Sequence, residues 1–294
     1  KHNKFRLKDK LLKDFKHFNI KFIKIILKKI MFFIKEYKSK KNKKPDVRKS
    51  RERIFNTRNI NLLYLLNKRF GWMKKYLKNK KIIIELGSGN GCIKKIINNK
   101  KIILTDIEKF EWIDEKVDMI KLNLKTKYIA KVDVFIINHS LHHCANPALS
   151  LHNMSKYLKK NGLVLINEPE TSFCLKLIQV LLDDESWSLK KNIFDKKKKI
   201  FKSTSPWVSN TAVAQLLFKS NNLFEKNFKQ FKIEKNKLSE FFIFLNSGGL
   251  NSSFNHIKLS NFFLKIVNLV DNILILILPG IFALNRSVVL KKIK

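Results

Sequence analysis

One stretch, KIIIELGSGNGCIKK from Lys81 to Lys95, restricts the fold more than any other. The run Ile82–Ile84 reads as a buried strand. It drives into Glu85, and then Gly87, Gly89 and Gly91 fall at alternate positions. Glycines in that register allow a tight turn with no Cβ in the way, so a ligand can approach the main chain closely. A phosphate-binding P-loop would end in Gly-Lys-Ser/Thr, whereas here Gly91 is followed by Cys92 and Ile93. A dinucleotide fingerprint would need Gly or Ala where Cys92 stands. The pattern acidic-x-Gly-x-Gly-x-Gly is filled at all four positions.

From there the chain alternates. Strand-like runs sit at 81–86, 101–105, 116–120, 132–138 and 163–167. Helical patterns lie between several of them, notably after Gly91 and from Pro147 to Lys160, where Asn161-Gly162 supplies a stop. Such alternation predicts a parallel sheet covered on both faces, a doubly wound Rossmann-like α/β fold. Upstream, a helical pattern spans about 53–77. Downstream, strand-like residues fall around 230–245, an apolar helix near 259–278 and a last strand at 287–292. The run ILILILPGIFAL (273–284) is too short to span a bilayer and reads as a buried helix end, with a monotopic membrane contact as the alternative.

Residues 11–37 form an N-terminal helical extension by pattern. Phe15, Phe18, Phe22, Ile26, Ile30 and Phe33 share a face, with lysines largely elsewhere. A basic amphipathic helix of this kind suits either an anionic membrane surface or the protein's own core. A charged linker closed by Pro45 follows. The expected division is therefore helix and linker over 1–45 and one domain over 46–294, with 171–260 as a region covering the acceptor.

The formal charge is +39. It points to anion attraction, and only weakly to nucleic acid, because the excess is lysine rather than the arginine forks that read phosphate. Cys92, Cys144 and Cys174 stand far apart, so neither a disulfide framework nor a zinc motif is expected. No metal cluster of convincing spacing is visible, and no metal is expected. The cysteine usage fits a reduced cytoplasm. No cleavable signal pattern is seen.

The glycine motif between strand and helix resembles the first motif of class I S-adenosylmethionine-dependent methyltransferases. Asp106, ending "IILTDIE", and Asp118, in "VDMIKLNL", fall where that family contacts ribose and adenine. "VDVFIINHSLHHCANP" and "LKKNGLVLINEP" are similar to the fourth-to-fifth-strand segment of the branch called methyltransferase type 11. Later "SGG" (247–249) and "PGIFA" (279–283) also recur in a group within that branch. The resemblance implies a seven-stranded sheet, S-adenosylmethionine as cofactor, and cofactor contacts at Glu85, Gly87, Ser88, Gly89, Gly91, Asp106, Ile107, Asp118, Met119 and Asn138. The usual Leu-Pro-Phe after the adenine-contacting acid is "LNL" here.

Methyl transfer from a sulfonium is an in-line displacement in which positioning and exclusion of water supply much of the acceleration. An oxygen acceptor also needs its proton removed. His139, His142 and His143 follow the fourth strand, and Glu168 leaves the fifth. His142, His143 and Glu168 are the catalytic candidates. The adjacent histidines are expected to project apart. Trp187, Phe194, Phe201 and Trp207 are candidate lid residues. The implied acceptor is a small molecule or a lipid- or glycan-linked precursor at the inner face of a membrane. An RNA methyltransferase, and a catalytically silent cofactor-binding partner protein, remain as alternatives.

Overall fold

The computed structural model describes residues 35–40, 45–201, 205–250 and 253–294. The amphipathic pattern of 11–37 therefore lies outside the described residues except at its end. There, Glu36–Tyr37 (β1) is a strand and not helix. It pairs antiparallel with Trp187–Ser188, and Tyr37 stacks on Trp187 with centroids 4.9 Å apart. The first linker residues are docked as well: Ser39 N–H and Lys40 N–H donate to Ser186 Oγ and Asp183 Oδ1 at 3.1 and 3.0 Å.

The remaining strands are β2 Ile83–Leu86, β3 Ile102–Asp106, β4 Glu115–Lys116, β5 Val132–Asn138, β6 Leu158–Pro169, β7 Trp187–Ser188, β8 Phe231–Ser239 and β9 Asn285–Lys292. Seven of them form one sheet in the order β4-β3-β2-β5-β6-β9-β8. The pairings from β4 to β6 are parallel; β9 runs antiparallel to both β6 and β8. This is the expected doubly wound, seven-stranded, mostly parallel sheet.

Strand alternation divides the core into two layers, because successive side chains point to opposite faces. Ile84, Leu86, Phe135, Ile137, Val164 and Ile166 pack on one side with Ala148, Leu151 and Met154 of helix Pro147–Tyr157. Ile83, Val134, Ile136 and Leu165 pack on the other with Leu62, Leu66 and Phe70 of helix Ile60–Phe70. Each such side chain contributes about 1.5–3 kcal/mol by leaving water. Helix starts follow local chemistry. Asn146 accepts from Leu149 N–H ahead of Pro147, and Ser172 accepts from Leu175 N–H, a cap contributing about 1 kcal/mol each.

Several expectations shift. The third strand is only Glu115–Lys116, and Asp118 lies in the turn beyond it. The pattern over 53–77 breaks into Val47–Asn56, Ile60–Phe70, a 3-10 turn and Lys74–Leu77, because Asp46 and Asn59 each cap a fresh start. The helix after Gly91 spans Ile93–Ile96 alone. The "SGG" segment is a helix dock: Gly249 O and Ser247 O accept from Arg53 Nη2 and Asn59 Nδ2 at 2.7 and 2.8 Å.

The run 273–284 is not a buried helix end. In helix Asn261–Ile277 only Leu264, Asp271 and Ile275 are buried. Asp271 turns inward because its carboxylate accepts from the N–H groups of Phe241, Phe242 and Ile243. The outer face, Phe262, Ile266, Leu269, Ile273 and Leu276, is left in solvent, with Leu276 83% and Ile277 66% exposed.

Candidate active site

β2 pairs with β3 on one side and β5 on the other, and the chain winds away from it in both directions. Ligands of open α/β sheets bind beyond the carboxyl ends of the strands at such a switch point. The glycine loop stands there. Gly87, Gly89 and Gly91 all have positive φ, between 49° and 68°. A Cβ on Gly87 would meet Ser140 Cβ at 2.5 Å, and one on Gly91 would meet Arg51 Nη1 at 2.9 Å. Both are demanded by the protein's own packing. A Cβ on Gly89 would meet nothing within 4 Å, so Gly89 is the glycine that opens onto ligand space.

The loop is held from three sides. Gly89 N–H donates to Asp106 Oδ2 at 2.8 Å, and Trp112 Nε1 donates to Gly89 O at 2.8 Å. Arg51 Nη1 donates to Asn90 O at 2.8 Å, while Asn90 Nδ2 donates to Ser50 Oγ at 2.9 Å. Arg51 also lies over the Trp112 ring, 4.6 Å from its centroid. Ser50, Arg51 and Trp112 were not apparent from the sequence. They belong to a helix and a loop whose approach is set by tertiary packing.

Asp106 ends β3. Its Oδ1 accepts from Glu108 N–H at 3.0 Å. Burial pushes its carboxyl up, against the Glu108 and Gly89 N–H groups that hold it down. A carboxylate offers about four lone-pair sites, so acceptor capacity remains beyond these two bonds. Ile107, next to it, is 44% exposed, an apolar side chain available to a ring. Met119 Cε lies 3.4 Å from the Cβ position of Gly87, on the same side of the loop. Asp118 Oδ1 accepts from Ile120 N–H at 2.7 Å. Asn138 Oδ1 accepts from Asn167 Nδ2 at 3.0 Å, in a polar ladder continued by Asn285 Nδ2 to Asn167 Oδ1 at 2.8 Å. The Ser88 hydroxyl is used inside the protein, accepting from Thr105 N–H and donating to Glu85 O.

Glu85 is buried beneath the loop, and its Oε2 has no hydrogen-bond partner. Burial pushes its pKa up to about 8, with Asp106 adding to the effect. A buried, unpartnered carboxylate oxygen costs free energy until a donor or cation reaches it.

Beyond β5 the chain makes a 3-10 turn, Leu141–His143, tied to the glycine loop by Ser140 Oγ donating to Leu86 O at 2.9 Å. Glu168 is fully buried and organises this turn. Its Oε1 accepts from Ser140 N–H and Leu141 N–H at 2.7 Å each, and its Oε2 from His142 N–H at 3.3 Å and His142 Nδ1 at 2.5 Å. With both oxygens so engaged, Glu168 positions the turn and His142.

The two histidines do not project apart. Their centroids are 4.2 Å apart and both converge on Glu185, a residue the sequence reading did not single out. His142 Nε2 and His143 Nε2 stand 3.1 and 3.4 Å from Glu185 Oε1. Burial works against a charged His142, but the carboxylates of Glu185 and Glu168 outweigh it and raise the pKa to about 10. Burial would raise Glu185, yet the His142 charge holds it at about 2. Burial, then the His142 charge, lowers His143 to about 4. His139 is neutral too, lowered by burial and Arg69; it holds a left-handed backbone at φ 49°, and its Nε2 is unpartnered.

The segment after residue 205 covers this cluster: Asn210 N–H donates to His142 O at 2.8 Å, and Trp207 meets the His143 ring edge-on at 6.3 Å. Of the four candidate lid aromatics only Trp207 is here. Trp187 is stacked on Tyr37, and Phe194 and Phe201 join the hydrophobic core.

No family model and no curated protein matches the sequence. Solved structures do. A SAM dependent methyltransferase from Archaeoglobus fulgidus is 16% identical, with 82% of this chain and 97% of that chain covered and a TM-score of 0.45. The plantazolicin methyltransferase BpumL in complex with SAH is 17% identical, covering 86% of this chain and 93% of that chain, with a TM-score of 0.42.

Proposed function

We propose that this chain is an S-adenosylmethionine-dependent methyltransferase acting on a small molecule or on a lipid- or glycan-linked acceptor. The observation that carries the reading is the loop at the switch point, where Gly89, alone of the three loop glycines, faces open space and is held by Asp106. When bound, S-adenosylmethionine supplies an electrophilic methyl group on a cationic sulfur. Asp106 offers its remaining lone pairs to the ribose hydroxyls. Ile107 and Met119 flank the adenine and Asp118 offers a polar atom at its edge, while Asn138, at the end of β5 on the far side of β2, contacts another part of the cofactor. Glu85 answers the methionyl ammonium, directly or through water. The acceptor lies against the His142–His143–Glu185 cluster, where Trp207 and the turn exclude water. Without a cation between it and Glu185, His142 is charged, so it orients groups and takes no proton.

Calorimetry tests the cofactor assignment. The purified chain is expected to bind S-adenosylmethionine and S-adenosylhomocysteine and not NAD, whose fingerprint Cys92 interrupts. Binding of NAD with no response to either adenosyl ligand would overturn the assignment.

The exposed face of helix Asn261–Ile277 supports an acceptor linked to a membrane. Soluble monomers rarely expose contiguous apolar patches beyond a few hundred Å². Phe262, Ile266, Leu269, Ile273 and Leu276 form one stripe, and Leu181 of helix Phe173–Leu182 adds to the exposed apolar surface. That second helix runs from the Glu168 strand towards the Glu185 loop. A charge of +39 draws such a face to anionic lipid. Among the described residues no helix is long and apolar enough to cross a membrane, so the contact is interfacial.

Anionic vesicles at low salt are expected to sediment the wild-type protein, with binding that falls as salt screens the lysines over roughly 10 Å at 0.1 M. The triple change Leu269→Ser, Ile273→Ser, Leu276→Ser should release it with an unchanged melting midpoint. Wild-type protein left in the supernatant would end the lipid reading. A lowered midpoint with vesicle binding retained would instead assign the face to the chain's own residues 1–34.

A further inference from the structure

Two adjacent imidazoles and a carboxylate from a distant loop meet at one point, and their hydrogen bonds do not balance. Each of the four ring nitrogens faces an oxygen. His142 Nδ1 faces Glu168 Oε2 at 2.5 Å, and His142 Nε2 faces Glu185 Oε1 at 3.1 Å. His143 Nδ1 faces Val208 O at 3.4 Å, and His143 Nε2 faces the same Glu185 Oε1 at 3.4 Å. A neutral imidazole carries one N–H and a lone pair on the other nitrogen. With Glu185 ionised, satisfying all four contacts with protons would require two imidazolium ions with ring centroids 4.2 Å apart, a like-charge pair in a partly buried site. With fewer protons, a nitrogen lone pair is left facing an oxygen lone pair, whichever tautomer is chosen.

We propose that His142 Nε2, His143 Nε2 and Glu185 Oε1 form a binding site for a divalent transition-metal ion, with Zn²⁺ the preferred occupant. A cation among these three atoms removes the conflict. Each ring then keeps a single N–H, donated from His142 to Glu168 and from His143 to the Val208 carbonyl. The spacing fits. Ligand atoms bound about 2.0–2.1 Å from a tetrahedral ion stand roughly 3.3 Å apart, against 3.1 and 3.4 Å for the two nitrogen–oxygen edges here, and the nitrogen–nitrogen edge, within 4.8 Å, needs only a small closure of the rings. Ligand type selects the metal, since imidazole suits Zn²⁺ and its neighbours and an all-oxygen set suits Mg²⁺ or Ca²⁺.

The surroundings are those of a metal centre. A carboxylate on the far nitrogen of a ligating histidine fixes its tautomer and orientation, and Glu168 does this for His142 while anchored by three backbone N–H groups. His143 and Glu185 keep about a quarter of their side chains exposed, which gives the ion an entry path. Three protein ligands leave at least one coordination position open, as in catalytic sites.

The consequence for chemistry rests on the methyltransferase reading. An acceptor hydroxyl in the open position would have its pKa lowered by the ion. Its proton passes to water, its oxygen forms the new O–CH₃ bond, and the S–CH₃ bond breaks to leave a neutral thioether.

The test is made on the full chain without S-adenosylmethionine, so that its outcome is independent of cofactor binding. Chelator-stripped protein is titrated with Co²⁺ and followed by visible d–d absorption. One saturable equivalent is expected, displaced by Zn²⁺ and not by Mg²⁺. His143→Ala and Glu185→Gln should each weaken Co²⁺ binding by about 100-fold or more, the upper range for loss of even an outer partner. His152→Ala, on helix Pro147–Tyr157, should leave it unchanged. Melting curves identify which variants are folded, and either folded ligand variant suffices. Folded wild-type protein with no saturable signal, or a signal that survives in a folded ligand variant, overturns the site.

Discussion

Glu168→Ala is expected to lower stability by about 3–5 kcal/mol, the usual cost of removing one partner of a buried charged pair. The side chain is fully buried and answers three backbone N–H groups besides His142 Nδ1. No water replaces it without entering the core, so those donors and the imidazolium lose their acceptor together. At roughly 2–4 °C per kcal/mol for domains of this size, the melting midpoint should fall by about 10 °C. The deficit depends on pH with a definite sign. His142 is raised to about 10 in the folded protein, so its charge stabilises fully below its unfolded value near 6.5 and the contribution is lost as pH rises through 10. The gap between wild type and Glu168→Ala should therefore be widest at or below about pH 6.5 and narrow towards pH 10. Glu185, held at about 2, contributes above its unfolded value near 4.5, and that part is lost as pH falls towards 2. Scanning calorimetry of chelator-stripped protein across this range, with no cation between His142 and Glu185, checks both arms. A midpoint within two or three degrees of wild type at pH 6 would show that the Glu168 carboxylate does not organise the turn.

Much of this arrangement could be read from the chain because it is local. The glycine loop, the carboxylate ending β3 and the proline opening helix Pro147–Tyr157 each carry their reason within a few residues: positive φ, a strand end, an N-terminal cap. The apolar runs give the sheet, since a strand buried on both faces needs an unbroken run. What was not legible depends on distant segments meeting. Glu185 lies in a stretch with no regular pattern, and nothing near it in sequence says that it closes on His142. Arg51 and Trp112 reach the glycine loop only because helix Val47–Asn56 packs beside β3's exit. Helix Asn261–Ile277 shows a different limit. Its apolar side chains surround most of the axis, so periodicity cannot tell which face is covered. Asp271 decides it by capping Phe241–Ile243, which turns Leu264 and Ile275 inward and leaves Leu276 outside.

Asp106→Ala should weaken S-adenosylmethionine binding by about 1.5–3 kcal/mol, a 10- to 150-fold rise in Kd, because hydrogen bonds to a charged acceptor are lost. Two effects act together. The ribose loses its acceptor, and Gly89 N–H loses the Oδ2 that holds the open glycine in place. Asp106→Asn separates them. The amide oxygen can still accept from Gly89, so loop geometry survives, while the charge that favours the ribose hydroxyls is gone; an intermediate Kd is expected. The Asn change should cost some stability, because with its oxygen towards Gly89 the amide NH₂ meets the Glu108 N–H that Oδ1 now answers, although burial already works against the ionised carboxyl. Isothermal titration of both variants, alongside melting curves, distinguishes a ribose ligand from a mere loop tether. If Asp106→Asn binds as tightly as wild type and only Asp106→Ala is weak, Asp106 acts through Gly89 alone and the ribose contact is excluded.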